Sequence, residues 1–100
     1  MGVSAPILSA PAAPSIEISG TGTTRTITLT GVTGGTWDYA GEGDTAVNRA
    51  WNVPTAFLQA QLDNVSQVGV SSVTGTPGVS YVITYGSDPG TVTVDGTNLT

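Results

Sequence analysis

Apolar residues recur at every second position over most of this chain, and at every third or fourth over one short stretch. Ser15–Ser19, SIEIS, sets Ile16 and Ile18 against Glu17. Thr24–Thr30, TRTITLT, points Ile27 and Leu29 one way and Thr26, Thr28 and Thr30 the other, the signature of a half-buried strand. Thr36–Ala40, TWDYA, places Trp37 and Tyr39 opposite Asp38, and reads as the hairpin partner of the preceding strand across Gly34-Gly35. A short extended piece follows around Ala46–Ala50. Farther on, Val68 and Val70 alternate toward Val73. Val79, Tyr81, Ile83 and Tyr85 alternate over seven residues, and Val92 and Val94 make a last strand before Asp95–Thr100 trails off. Breaks fall at Gly20-Thr21-Gly22, Gly41–Asp44, Thr74–Gly78 and Gly86–Gly90, all rich in turn formers.

The exception to this two-residue period is Trp51–Val65, WNVPTAFLQAQLDNV. Pro54 suits a first helical position, where its missing N–H costs nothing. Leu58, Leu62 and Val65 then recur at helical spacing, Phe57 widens the stripe, and Gln59, Ala60 and Asp63 fall on another face. A helix this short is marginal alone in water, so it must lie on the sheet its neighbours form. The pattern predicts an α+β domain, residues 16–100, with a single helix packed on a mostly antiparallel sheet of about five to six short strands. The expected core is Ile27, Leu29, Trp37, Leu58, Leu62, Val65, Val70, Ile83 and Val94. Residues 1–15, MGVSAPILSAPAAPS, differ: prolines spaced among alanines, without any charge, read as an extended, polyproline-like arm. Ile7 and Leu8 are large apolar residues that a free tail has no use for, and they suggest that the arm lies on a partner.

Composition narrows the function. With 100 residues the chain makes one domain with a modest core. It has two Arg, no Lys and seven acids, a net charge of -5, so it lacks the basic footprint of a nucleic-acid binder, and an anionic membrane would repel it. Charged residues are 9% of the chain, against about a quarter in ordinary domains. Solubility must then rest on Thr, Ser, Asn and Gly, a surface more common in extracellular or assembled proteins than in free cytosolic monomers. No apolar run approaches the ~20 residues of a membrane span, and the N-terminus has no basic leader. Met1-Gly2 opens like a myristoylation signal, but Pro6 stands where Ser or Thr is needed.

Little in the chain looks like reaction chemistry. Absence of Cys and His excludes disulfides, thiol chemistry, the usual zinc sites and the commonest neutral-pH base. Ser and Thr are abundant, but a hydroxyl nucleophile needs a base beside it. No phosphate-cradling or nucleophile-elbow motif is present. Asp38, Glu42 and Asp44 are close in sequence, yet carboxylates beside glycines are usually solvated turn formers rather than a glycosidase pair or a calcium site. Trp37, Tyr39 and Trp51 suit either a sugar-stacking platform or a core; their alternation with Asp38 favours a core for Trp37, and Trp51 is expected to pack under the first helical turn. Arg25 and Arg49 are the only cations. Each has local acids within reach in Glu17, Glu42 or Asp44, and each is also a candidate interface anchor. Asn64-Val65-Ser66 and Asn98-Leu99-Thr100 match glycosylation sequons, which without a leader read as chance. An enzyme is not expected, and no cofactor or metal.

Three motifs together resemble a small domain that recurs in structural proteins of tailed bacteriophages, most of all those of actinobacterial phages. They are a Thr-rich hairpin ending in Trp37 and Tyr39, the step Trp51-Asn52 before an Ala/Gln/Leu helix, and Thr76-Pro77-Gly78 before the strand Tyr81-Val82-Ile83-Thr84-Tyr85. The resemblance covers about residues 16–100. It implies a virion protein. A single copy behind its own Met1 and arm suggests a free-standing head decoration protein on the outer surface of the capsid, reinforcing the mature lattice. The implied partner is the major capsid protein, with room for a homotrimer, and no nucleic acid or membrane. Ile7, Leu8, Arg25 and Arg49 are the expected contacts. Two other readings stand beside it: a tail-surface or adhesin-like module binding host glycans, and another small virion part such as a connector.

Overall fold

Alternating strands make ribbons with one apolar face, and this chain buries two such ribbons against each other. The computed structural model describes residues 13–41 and 47–100. Its elements are β1 (Ser15–Ser19), β2 (Thr24–Thr30), β3 (Thr36–Gly41), β4 (Val47–Ala50), α1 (Thr55–Val65), β5 (Val70–Thr76), β6 (Ser80–Tyr85) and β7 (Val92–Asp95). The class is α+β and mostly sheet, as the alternation predicts. The strands form two antiparallel sheets rather than one, in the orders β1-β2-β6-β5 and β4-β3-β7. The expected arm lies outside the described residues, apart from its last three.

The sheets face each other through Ile27 and Leu29 of β2, Tyr81, Ile83 and Tyr85 of β6, and Trp37 and Tyr39 of β3, all buried. The Trp37 and Tyr81 rings meet at 6.0 Å between centroids, tilted by 43°. The Tyr39 and Tyr85 hydroxyls are hydrogen-bonded at 2.9 Å, so the core carries a polar link that its aromatic residues satisfy themselves. Helix α1 packs against β5 and sends Leu58 and Leu62 into the same core.

Several expectations change. β3 is not the hairpin partner of β2: it pairs with β4 and β7, while β2 pairs with β1 and β6. The connection Gly31–Gly35 carries the chain across to the second sheet. Gly35 makes this possible at φ +85°, where any Cβ would collide with the Asn98 carbonyl oxygen. The C-terminal stretch does not trail off. Thr33 and Gly34 N–H groups donate to the Thr100 oxygen, Thr100 N–H donates back to Gly34, and Leu99 is buried. Pro54 caps α1 from outside, with extended backbone, and Thr55 is the first helical residue. β5 runs through Thr76, beyond the expected start of the turn, and Val79, the expected first residue of the alternating strand, is a turn residue with 55% of its surface exposed. Of the expected core, Val65 and Val94 are only half-buried; Tyr39, Val53, Val73, Tyr81, Tyr85, Val92 and Leu99 join it.

Candidate interaction surface

Among the described residues no three metal-ligating side chains come together. Of the acidic trio, Glu42 and Asp44 lie outside the described residues; Asp38 accepts a 3.0 Å hydrogen bond from Asn48 Nδ2 across the β3–β4 pair. Trp37 and Tyr39 are 1% and 2% exposed, so neither presents a ring face to a sugar. Trp51 is half-buried. Instead of sitting only beneath the helix, it covers the β5–β6 turn, where a Cβ on Gly78 would come within 2.6 Å of its ring. The chemistry available is therefore that of surfaces and strand edges.

The surface most distinctive in composition is the outer face of the four-stranded sheet. Strand register stacks its side chains in rows: Ser19, Thr26, Val82 and Thr74; Glu17, Thr28, Ser80 and Thr76; then Thr24, Thr84 and Ser72. Period-two alternation that buries Ile27, Leu29, Tyr81 and Ile83 forces these hydroxyls outward together. Glu17 is the only charge in the three rows. A face of neutral hydroxyls costs less to desolvate than one of carboxylates and ammonium groups.

The strand edges are treated unequally. β5 would expose its backbone, but α1 lies beside it and its side chains take the place of a neighbouring strand. Gln59 Nε2 donates to Ser71 O at 3.3 Å, Gln59 Oε1 accepts from Val73 N–H at 3.2 Å, and Asp63 Oδ1 accepts from Val70 N–H at 2.9 Å. Local pattern alone makes Gln59 and Asp63 merely the other face of the helix; their four-residue spacing is the available signal, since it keeps both on one line along β5. β1 ends the first sheet, and β4 and β7 end the second, with no further strand beside them among the described residues.

The two cations have different fates. Arg25 is buried, on the core-facing side of β2. It donates to Gly22 O at 2.8 Å, Thr24 O at 3.1 Å, Gly90 O at 3.1 Å and Asp88 Oδ1 at 3.2 Å. It clamps the β1–β2 turn to the loop before β7; its acid is Asp88, not Glu17. Arg49 is half-buried on β4, directly across from Trp37. Its Nε is buried with no partner among the described residues, as is the Trp37 indole N–H. Burial pushes its guanidinium pKa down, because the charged form loses hydration. Ile7 and Leu8 lie outside the described residues. Two large apolar side chains, Phe57 and Val79, are 55% exposed each. No protein-family model, no curated protein and no solved structure matches this chain.

Proposed function

We propose that this chain is a non-enzymatic virion structural protein, a head decoration protein that binds the major capsid protein on the outside of the mature capsid and stabilises that lattice. The observation that carries the reading is the hydroxyl-rich, nearly uncharged outer face of the β1-β2-β6-β5 sheet, next to the point where the Ala/Pro-rich arm enters β1. A protein that must cover a large assembled surface benefits from a face that is soluble when free and inexpensive to dehydrate when docked. The arm adds Ile7 and Leu8 as apolar contacts. The motif resemblance to tailed-phage virion domains supplies the partner.

The energetics follow from mass action. Binding only the mature lattice stabilises it by RT ln(1 + [L]/Kd), about 2.7 kcal/mol per site at a free concentration about 100 times Kd. Summed over many sites, modest affinity suffices. The test is to add purified chain to undecorated, expanded capsids. Saturable, stoichiometric binding and a raised capsid melting temperature are expected, and removal of residues 1–14 should weaken binding. Failure of the full chain to bind overturns the reading.

A further inference from the structure

Apart from β5, which α1 covers, three terminal strands have no further strand beside them among the described residues, β1, β4 and β7. The acid of β7, Asp95, already accepts from the Thr97 hydroxyl and N–H, whereas β1 and β4 carry opposite charges without a partner among the described residues. On β1, Glu17 is exposed, with no hydrogen bond or ion pair among the described residues. On β4, Arg49 has none either among the described residues; its Nε is buried without a partner, as is the indole N–H of Trp37, its cross-strand neighbour on β3. Arg25 does not compete for Glu17, because Asp88 and three carbonyl oxygens occupy it. We propose that β1 of one copy of this chain adds to the β4 edge of a second copy, setting Glu17 opposite Arg49.

Backbone geometry favours that position. Trp51 N–H donates to Gly35 O at 3.0 Å on the β3 side. Alternation along an antiparallel ladder then turns the Arg49 backbone toward β3 and the Asn48 backbone toward the free edge. A strand added at this edge meets Arg49 in a non-hydrogen-bonded position, where opposed Cα atoms approach to about 4.5 Å and side chains are closest. A carboxylate there gives the guanidinium an acceptor that no described residue supplies. Facing is consistent as well. Arg49 shares its side of the sheet with buried Trp37, whereas Glu17 stands on the side of β1 away from Ile16 and Ile18. Matching the two charges therefore sets the bodies of the two copies on opposite faces of the joined sheet, where they do not collide.

Other occupants fit less well. The arm contains no acid, so it can cover the β4 backbone but cannot neutralise Arg49. A β1–β1 pair opposes two glutamates, which is repulsive. The contact is heterologous, β1 to β4, so a pair leaves β4 free on one copy and β1 free on the other, and the assembly can close into a ring. Both strands are short, five and four residues, so the pairing is weak in solution and strengthens where copies are held side by side.

The test uses the full chain and needs no capsid. Sedimentation velocity up to millimolar concentration should show self-association that weakens with salt. Glu17→Arg, at an exposed position, should weaken it about tenfold or more, and Glu17→Arg with Arg49→Glu should restore it. As a check independent of the folding of Arg49 variants, a synthetic peptide of residues 14–20 should shift the Asn48 amide and Arg49 Nε–H resonances of the native chain, at several-fold lower concentration than the same peptide with Glu17→Gln. A chain that stays monomeric overturns the inference, and so does association indifferent to Glu17→Arg. An Arg49 Nε–H resonance that moves in monomeric Glu42→Gln or Asp44→Asn shows that its acid is internal, and overturns the inference equally.

Discussion

Tyr81→Phe removes one oxygen from a side chain that is wholly buried, and tests whether the core depends on polar satisfaction as well as packing. The Tyr81 hydroxyl donates to Val53 O at 2.7 Å and accepts from Gly78 N–H at 3.0 Å. It thus joins β6 to the entry of α1 and to the β5–β6 turn. Val53 is 3% exposed and Gly78 lies beneath the Trp51 ring, so neither backbone group can turn to water. The vacancy left by one oxygen is smaller than a water molecule needs. Each stranded group costs about 1–3 kcal/mol, so about 2–4 kcal/mol is expected for the pair after partial relaxation. For a chain of this length that corresponds to a fall in Tm of roughly 8–32 °C. Urea denaturation should show a lower midpoint with unchanged m. Thr26→Val, on the outer face of the same sheet, serves as control and should change stability by no more than about 0.5 kcal/mol. There is also a pH signature. Burial raises the Tyr81 pKa, the first cause, with the Gly78 N–H bond acting the other way. Its contribution is therefore complete below the ordinary tyrosine pKa of about 10, and is lost as pH climbs from there toward the raised value, since only the unfolded phenol ionises readily. Tyr81→Phe should flatten that part of the alkaline stability curve. A variant within about 0.5 kcal/mol of the parent would refute the argument.

Other expectations follow from the same bookkeeping of partners. Arg25→Met strands three carbonyl oxygens and should cost about 2–4 kcal/mol by urea denaturation; Asp88→Asn, at a side chain 62% exposed, should cost less than about 1 kcal/mol and respond little to salt. Gln59→Ala uncovers Ser71 O and Val73 N–H on β5, so it should lower stability by about 1 kcal/mol and shorten the lag of thioflavin-detected aggregation. Asp95 has a carboxyl pKa lowered by hydrogen bonds from the Thr97 hydroxyl and then the Thr97 N–H. Its support of the C-terminal turn is present above the ordinary aspartate pKa of about 3.9 and is lost on further acidification. Thr97→Ala should move the Asp95 carboxyl upward in a carbon-detected NMR titration. Gly35→Ala should destabilise by more than about 2 kcal/mol in thermal melts, since it combines a left-handed backbone with a collision at Asn98.

What the sequence reveals and what it conceals divide along physical lines. Alternation in TRTITLT and SYVITY exposes which side of β2 and β6 is buried, because one side of a ribbon has no other destination. Leu58 and Leu62 expose the helix for the same reason. Alternation does not say which ribbon a strand joins. Local pattern therefore sets β3 beside β2, although Gly31–Gly35 carries it to the other sheet. The deciding contacts are remote: β3 is held by Val92–Asp95 and by the Leu99–Thr100 segment, both far later in the chain. Arg25 is similar, since its acid is 63 residues away in a loop whose position depends on the whole fold. Gln59 and Asp63 look solvated from local pattern alone, and become edge caps only once β5 lies beside them. The candidate surface is legible in part. Thr-rich alternation forecasts a hydroxyl face, whereas the contrast between an engaged Arg25 and an Arg49 without a partner among the described residues requires coordinates.

The treatment of edges links stability to function. Natural sheets avoid indiscriminate pairing by shortening, charging or covering their edge strands. Here the seven-residue strand β5, the most hazardous, is covered by α1. The other terminal strands, β1, β4 and β7, are short, and β1 and β4 are each marked by one charge, of opposite sign. That combination suppresses association of like edges, because Glu17 would face Glu17 or Arg49 would face Arg49, while leaving unlike edges compatible. In a chain with 9% charged residues, hydroxyls on the broad face supply the hydration that charges otherwise would, and the proposed pairing draws its specificity from two charges on terminal strands. A surface built this way would pair weakly in free solution and more strongly where neighbours are held in register, the condition that the proposed capsid lattice would supply.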